Sequence, residues 1–549
     1  MFKNKFFIIS LLAVFAAFAC AVPAALAEFD SSNSNTGYDS QNESISNFFT
    51  GFYSWNENLE LVSNDAVGEN SSGGNAADFN SGDACLTSGQ VSVNGLFDNS
   101  VNRNSLALPM LNEDVFSSNN NNTGALSYNY SETLFDASNW SANNLNNSFL
   151  NNLIDSSALS GWNTANSNNG SGAISAGSAS IEATTRNSAN VNTMAVFGNG
   201  VNPDLITGNS NTGADSVNNA IVSVFDVFAL SNDNMAQIVN DLELEATSGF
   251  NSADYNSTFG SVMTGNTSAF ANASTSDVNR NDTAIIGQAF NGLFEATNFS
   301  TGADTSNSAF ITLTDNNYVN NSNTALINNL LGSNAISGYN SADYNNGAGA
   351  VVSGNANSMA VAQNMGINVN TTAITSPLAM SYFVAENEMT GANSYNNSEI
   401  NVENSTSLTN DNNANVINDI FANSVSGGNS ADYNTGEGSV NAGSASAGAM
   451  VVNQANINTT NIQNAAVASS IYNSNANTGA NSTNEAYTNI NSSINVTNVN
   501  EALFNNTVSV SANSGDNTSN YNTGGASVTS GAVVASFGVM NAANSNLIQ

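Results

Sequence analysis

One short signature, Asn-x-Asn, returns along this chain at nearly fixed spacing, and that regularity limits the fold more than any other feature. Counted by its first Asn it stands at 56, 102, 144, 190, 232, 279, 321, 368, 410, 456, 498 and 544, so steps near 46 residues alternate with steps near 42. A fixed period of this size marks a repeat architecture, in which each unit buries its apolar face only against its neighbours. Two further landmarks keep a larger period of about 88 residues. A Thr-Gly turn recurs at Gly37, Gly124, Gly213, Gly302, Gly391 and Gly479. A second turn, clearest as Asn340-Ser341-Ala342-Asp343-Tyr344-Asn345, leads with Asn75, Asn163, Asn251, Asn340, Asn429 and Asn517.

The first 27 residues stand apart. Lys3 and Lys5 precede an apolar run from Phe6 to Ala19, and Ala25-Leu26-Ala27 is a small-x-small cleavage signal. That pattern predicts a secretory signal peptide over 1–27, too short and wrongly flanked for a membrane span. Cys20 lacks the Leu three residues earlier that lipidation signals carry. The remainder, 28–549, divides into six units at about 34–120, 121–209, 210–298, 299–387, 388–475 and 476–549, each of two related halves.

In the first half of each unit the signature is Asn56 and Asn58, Asn144 and Asn146, Asn232 and Asn234, Asn321 and Asn323, Asn410 and Asn412, Asn498 and Asn500. Six residues after the second Asn comes another Asn, and four after it an apolar residue: Val62, Leu150, Ile238, Ile327, Val416 and Phe504. Positions two apart share one face of an extended strand, so these Asn and apolar residues point one way. The residue inside the signature points the other way, and it includes Glu57, Arg103, Asp233, Arg280 and Asp411. Charge places that face outside and the Asn pairs inside.

A buried amide is tolerated only where its donors and acceptors are matched. Stacked coils about 4.8 Å apart supply the match, because each Asn then meets its equivalent in the next coil. Asn also favours tight turns through its tolerance of left-handed φ, so turns and ladders are both expected uses. In the second half, an aliphatic residue falls eleven after the leading turn Asn (Leu86, Ile174, Val262, Val351, Val440, Val528) and a Gly fourteen after it (Gly89, Gly177, Gly265, Gly354, Gly443, Gly531). The Gly predicts a bend or a close backbone approach. Pro109, Pro203 and Pro377 fall in variable stretches after second-half signatures, which reads as loops.

About a fifth of the residues are Asn, a composition that by itself suggests disorder, but the 40% apolar fraction and the strict period argue for ordered structure. The net charge of -37 comes mainly from a lack of bases, since only 9% of residues are charged. It excludes nucleic-acid and anionic-membrane partners, which need clustered Lys and Arg. Past the signal peptide there is one cysteine, Cys85, at a position where other units carry Ala or Ser, so a small side chain in a tight place is expected there.

The chain has no His, and its Lys residues lie in the signal peptide. Imidazole bases, Schiff-base amines and a Ser-His-Asp triad are therefore ruled out, and no off-pattern acid cluster marks a glycosidase; no enzymatic activity is expected. Calcium is the inorganic partner that the second turn suits, through Asp78, Asp254, Asp343 and Asp432, each with an Asn two residues on. Asn166 and Asn520 replace the Asp in two units, and neither an EF-hand loop nor a calcium nonapeptide occurs, so a conformational role outweighs metal binding. Asn-x-Ser/Thr triplets are present at about the density that chance produces.

With its signal peptide and long Asn/Ser/Thr/Gly-rich repeats, the chain resembles secreted adhesin-like and other cell-surface β-solenoid proteins. The resemblance is one of composition and architecture. The spaced Gln of curlin-like repeats and the Thr-x-Thr rows of ice-binding solenoids are missing. The expectation is an all-β β-solenoid rod with Asn ladders, with tandem β-sandwiches as the rival fold. One coil per half-unit would give a rod of about 60 Å, and two coils about twice that. The resemblance implies a structural role at a cell surface or in an extracellular filament. No capping pattern follows the last signature, which suggests self-association end to end. The alternative is an adhesin for surface glycans, with Phe48, Phe49, Phe52, Tyr53 and Trp55 as an aromatic patch or an N-terminal cap.

Overall fold

The structure, a computed structural model, describes residues 28–108, 115–197, 204–286, 292–376, 382–464 and 470–549. The expected signal peptide and the stretches holding Pro109, Pro203 and Pro377 lie outside the described residues. Among those described there is no helix, and hence none long and apolar enough to cross a membrane.

Each coil has four strands. In the first these are a lead strand Glu28–Ser34, a front strand Gln41–Ser71, a short edge strand Ala84–Thr87 and a back strand Val91–Leu108. The pattern repeats down the chain, giving four sheets of six strands each. Neighbouring strands are parallel and pair between coils, as Asn58 with Asn146 and Asn234 with Asn323. The fold is thus an all-β solenoid, and tandem sandwiches, which would pair strands within each unit, are excluded.

The coil count corrects the sequence-based estimate of height. A whole 88-residue unit makes one turn, with its two halves forming the opposite walls, so six coils stand only about 29 Å tall. A front strand of 31 residues extends about 100 Å. The molecule is therefore a broad slab rather than a slender rod. The lead strands of the first two coils are Glu28–Ser34 and Val115–Asn121.

Burial alternates with period two along the interior front strands, as the side-chain pattern requires. Moving along the slab, Phe135, Val222 and Ile311 form a first apolar compartment with Met194 and Ile285 of the back sheet. Leu150, Ile238 and Ile327 meet Ala189, Val278 and Ile367 in a second. Ile154, Leu242 and Leu331 meet Ala183, Ala271 and Ala360 in a third. Rows of Asn separate these compartments. The Gly columns behave as expected: a Cβ on Gly177, Gly354, Gly443 or Gly531 would stand 2.3 Å from the Gly carbonyl oxygen one coil below, so only glycine allows the backbones to stack there.

Candidate functional site

The first-half signature residues are inward and paired. Asn144, Asn146, Asn232, Asn234, Asn321, Asn323, Asn410 and Asn412 are buried. Asn56 donates to Asn144 at 2.8 Å, and the column continues through Asn232, Asn321, Asn410 and Asn498 at 2.7 to 2.8 Å. Asn58, Asn146, Asn234, Asn323, Asn412 and Asn500 form the next column, at 2.7 to 2.8 Å. The middle residue faces outward, as expected. There Arg280 pairs with Asp277 at 3.0 Å and Asp282 at 2.8 Å.

A ladder alone leaves half of each amide unmatched. The second-half signature completes it from the opposite wall. Asn58 donates to Asn104 at 2.9 Å, Asn104 to Asn146 at 2.8 Å, and Asn146 to Asn192 at 3.0 Å. The chain of bonds climbs onward through Asn234, Asn281, Asn323, Asn370, Asn412, Asn458, Asn500 and Asn546. Asn323 shows the result: its Nδ2 donates to Asn370 and Asn412, while its Oδ1 accepts from Asn234 and Asn281. All four hydrogen-bonding positions of a buried amide are filled. The alternating steps near 46 and 42 are the two legs of this zipper.

A second zipper runs parallel to the first. Asn64 donates to Asn99 at 3.0 Å and Asn99 to Asn152 at 2.9 Å, with Asn187 and Asn240 following. In the upper coils it proceeds through Asn329, Asn364, Asn418 and Asn453. Its back-wall members were missed in the sequence reading, although an Asn stands three or four residues before every second-half signature but the third, where Thr275 takes the place. The first Asn of those signatures also combines the two expected uses of the residue. Asn102, Asn190, Asn279, Asn368, Asn456 and Asn544 adopt φ between 52° and 58° and still ladder, as Asn190 to Asn279 at 2.8 Å. The left-handed residue breaks the strict alternation and brings Ala189, Asn190 and Asn192 all to the core, while the pairing with the neighbouring coil keeps its register.

The candidate calcium residues also form a column, one in which carboxylates hold backbone. Asp78 accepts from the Asn166 N–H at 2.6 Å and the Thr164 hydroxyl at 2.9 Å. Asp254 accepts from the Asp343 N–H and the Ser341 hydroxyl, both at 2.7 Å. Asp343 does the same for Asp432 and Ser430, and Asp432 for Asn520 and Thr518. Asn166 takes the same bonds, from the Asp254 N–H at 2.7 Å and the Ser252 hydroxyl at 2.9 Å. The position needs an acceptor, which either side chain supplies, so the Asp/Asn interchange has a structural reason. Burial raises the Asp343 carboxyl above its usual range, and the neighbouring Asp254 and Asp432 add to that, against the Ser430 and Asp432 hydrogen bonds. Among the described residues no group of three His, Cys, Asp or Glu is placed to hold a metal ion.

The remaining expectations divide. Phe48 and Phe52 point inward, stacking on Phe135 at 5.4 Å and packing on Trp140 at 5.6 Å, whereas Phe49, Tyr53 and Trp55 are exposed on the outer wall. The aromatic patch is therefore split between two faces. Cys85 is exposed, which corrects the expectation of a tight position. One feature escaped the sequence reading: the second turn stacks Tyr255, Tyr344, Tyr433 and Tyr521 at 4.9, 4.7 and 4.7 Å along the outer surface. Comparison with protein-family models, curated proteins and solved structures finds no match to this chain.

Proposed function

We propose that this protein is a secreted structural element of a cell surface or extracellular filament. The observation that carries the reading is the pair of through-core amide zippers. The buried amide side chains are matched to one another, coil after coil. Such an arrangement makes a stiff, flat body, and the Asp column and Tyr stack reinforce the same axis. The leading apolar run with its Ala25-Leu26-Ala27 signal supports export.

Fractionating the source cells with an antibody to the chain tests this reading. Recovery at the surface or in the medium, with the mature chain starting near Glu28 and resisting protease at the 88-residue period, is the expected result. A cytoplasmic chain with the leader retained, or six separable fragments, would overturn it.

A second reading, an adhesin for surface glycans, is supported by the exposed outer-wall aromatics Phe49, Tyr53 and Trp55, since aromatic faces stack on sugars. A glycan array separates the two, because a purely structural slab shows no saturable binding.

A further inference from the structure

Each end of the stack leaves half of its interactions unmade, and the two halves are complementary. In the Asn columns described above, every bond has its Nδ2 donor in the earlier coil and its Oδ1 acceptor in the later one, as in Asn58 to Asn146 and Asn412 to Asn500. Among the described residues the first coil therefore presents a row of open Oδ1 acceptors, and the sixth a row of Nδ2 groups with an N–H to spare beyond the bonds of Asn500 to Asn546 and Asn506 to Asn541. The backbone edges match as well, because the front strands Gln41–Ser71 and Thr483–Asn513 each have 31 residues and among the described residues each pairs on one side only.

The apolar compartments end in the same complementary way. Phe52 and Val62 at one end and Ile494 and Phe504 at the other occupy the same columns and remain only partly buried. Phe79 and Tyr521, at equivalent turn positions, are 82% and 76% exposed, so each presents an uncovered ring face along the axis.

Charge fixes the direction. The first coil, residues 28–108, carries eleven acidic residues and one Arg, whereas the sixth, residues 470–549, carries only Glu485, Glu501 and Asp516. Two first coils brought together would oppose acid to acid and acceptor to acceptor. A first coil brought to a sixth coil opposes neither, apart from Glu43 beside Glu485.

From these observations, and resting on the structural reading above, we infer that the chain assembles head to tail with copies of itself. The first coil of one copy seats on the sixth coil of the next, in the register that continues every Asn column. The product is a cross-β ribbon about 100 Å wide that grows by about 29 Å per copy.

Cys85 provides a built-in reporter of that register. It shares its column with Ser527, and within one copy the two lie five strand steps apart, about 24 Å, beyond disulfide reach. In the inferred joint their Cα atoms come within about 5 Å. Mild oxidation of purified Ser527→Cys should therefore give a ladder of covalent oligomers, while Thr529→Cys, two residues out of register, should give at most dimers through Cys85. A second pair of changes, Asn500→Asp with Asn506→Asp, keeps the acceptors those residues offer to the coil below, removes the donors aimed at the next copy, and gives up their bonds to Asn546 and Asn541 within the last coil, so a thermal melt of the monomer is run beside it to show that the coil stays folded. The double change should raise the concentration for assembly at least about tenfold, and at low ratio it should shorten wild-type ribbons by blocking one end. Equal cross-linking of both cysteine variants, unchanged assembly of the Asp variant, or a wild type that stays monomeric at every concentration would overturn the inference. None of these outcomes depends on export, so the structural reading stands or falls separately by fractionation.

Discussion

Thr275 interrupts the second amide zipper. It stands in register between Asn187 and Asn364, and its buried hydroxyl has no partner among the described residues. Thr275→Asn should restore two acceptor and two donor contacts and stabilise the fold by roughly 1 to 2 kcal/mol, read as a higher denaturation midpoint with an unchanged slope. Asp315 is the opposite case, a carboxylate where the core has little to offer it. Burial pushes its pKa up to about 7, and a 2.9 Å hydrogen bond from Asn317 lowers it only in part. Asp226 is its register partner one coil below. Because the folded-state pKa is the higher one, the stabilisation is complete below the unfolded value near 3.8 and is lost as pH rises through about 7. The chain should therefore be more stable at pH 5 than at pH 8. Asp315→Asn should raise stability at pH 8 and flatten that slope, as measured by thermal melts across pH.

At the level of the strand, the two Asn of one signature carry unequal roles. Asn321 makes its column bonds to Asn232 and Asn410, whereas Asn323 adds both cross-wall bonds. Asn323→Ala orphans partners on two sheets and should cost roughly 2 to 4 kcal/mol, against roughly 1 to 2 kcal/mol for Asn321→Ala. Equal costs would show that the cross-wall legs contribute little. Each residue's facing was legible in the sequence because strand periodicity is a local property. Which sheet stood opposite was not, since that depends on how far the chain travels before it turns back.

For the molecule as a whole, the coil is the unit of stability, and nearest-neighbour stacking makes coils removable. Deleting residues 204–292, one complete coil, should leave a five-coil slab with unchanged strand content per residue. Deleting 204–247 alone, the lead and front strands of that coil, should destroy the register and expose the core. Circular dichroism and limited proteolysis distinguish these outcomes, and tolerance of the half-coil deletion would support a half-unit as the structural repeat. The uneven acidity of the two ends belongs to this scale too, because it acts only when whole molecules meet.

The sequence by itself determined the strand class, the period, the inward Asn and the close-packed Gly columns, for these follow from side-chain alternation and from the need to match buried amides. It also contained the zipper, in the alternation of steps near 46 and 42, but as a spacing without a geometry. Only the tertiary structure decided that the two halves face one another across a single coil. A repeat reports how often a pattern returns along the chain, whereas the distance between walls is set by where the long strands end and turn. The recurring Asn-x-Asn is thus both a ladder rung and one leg of a bridge between sheets.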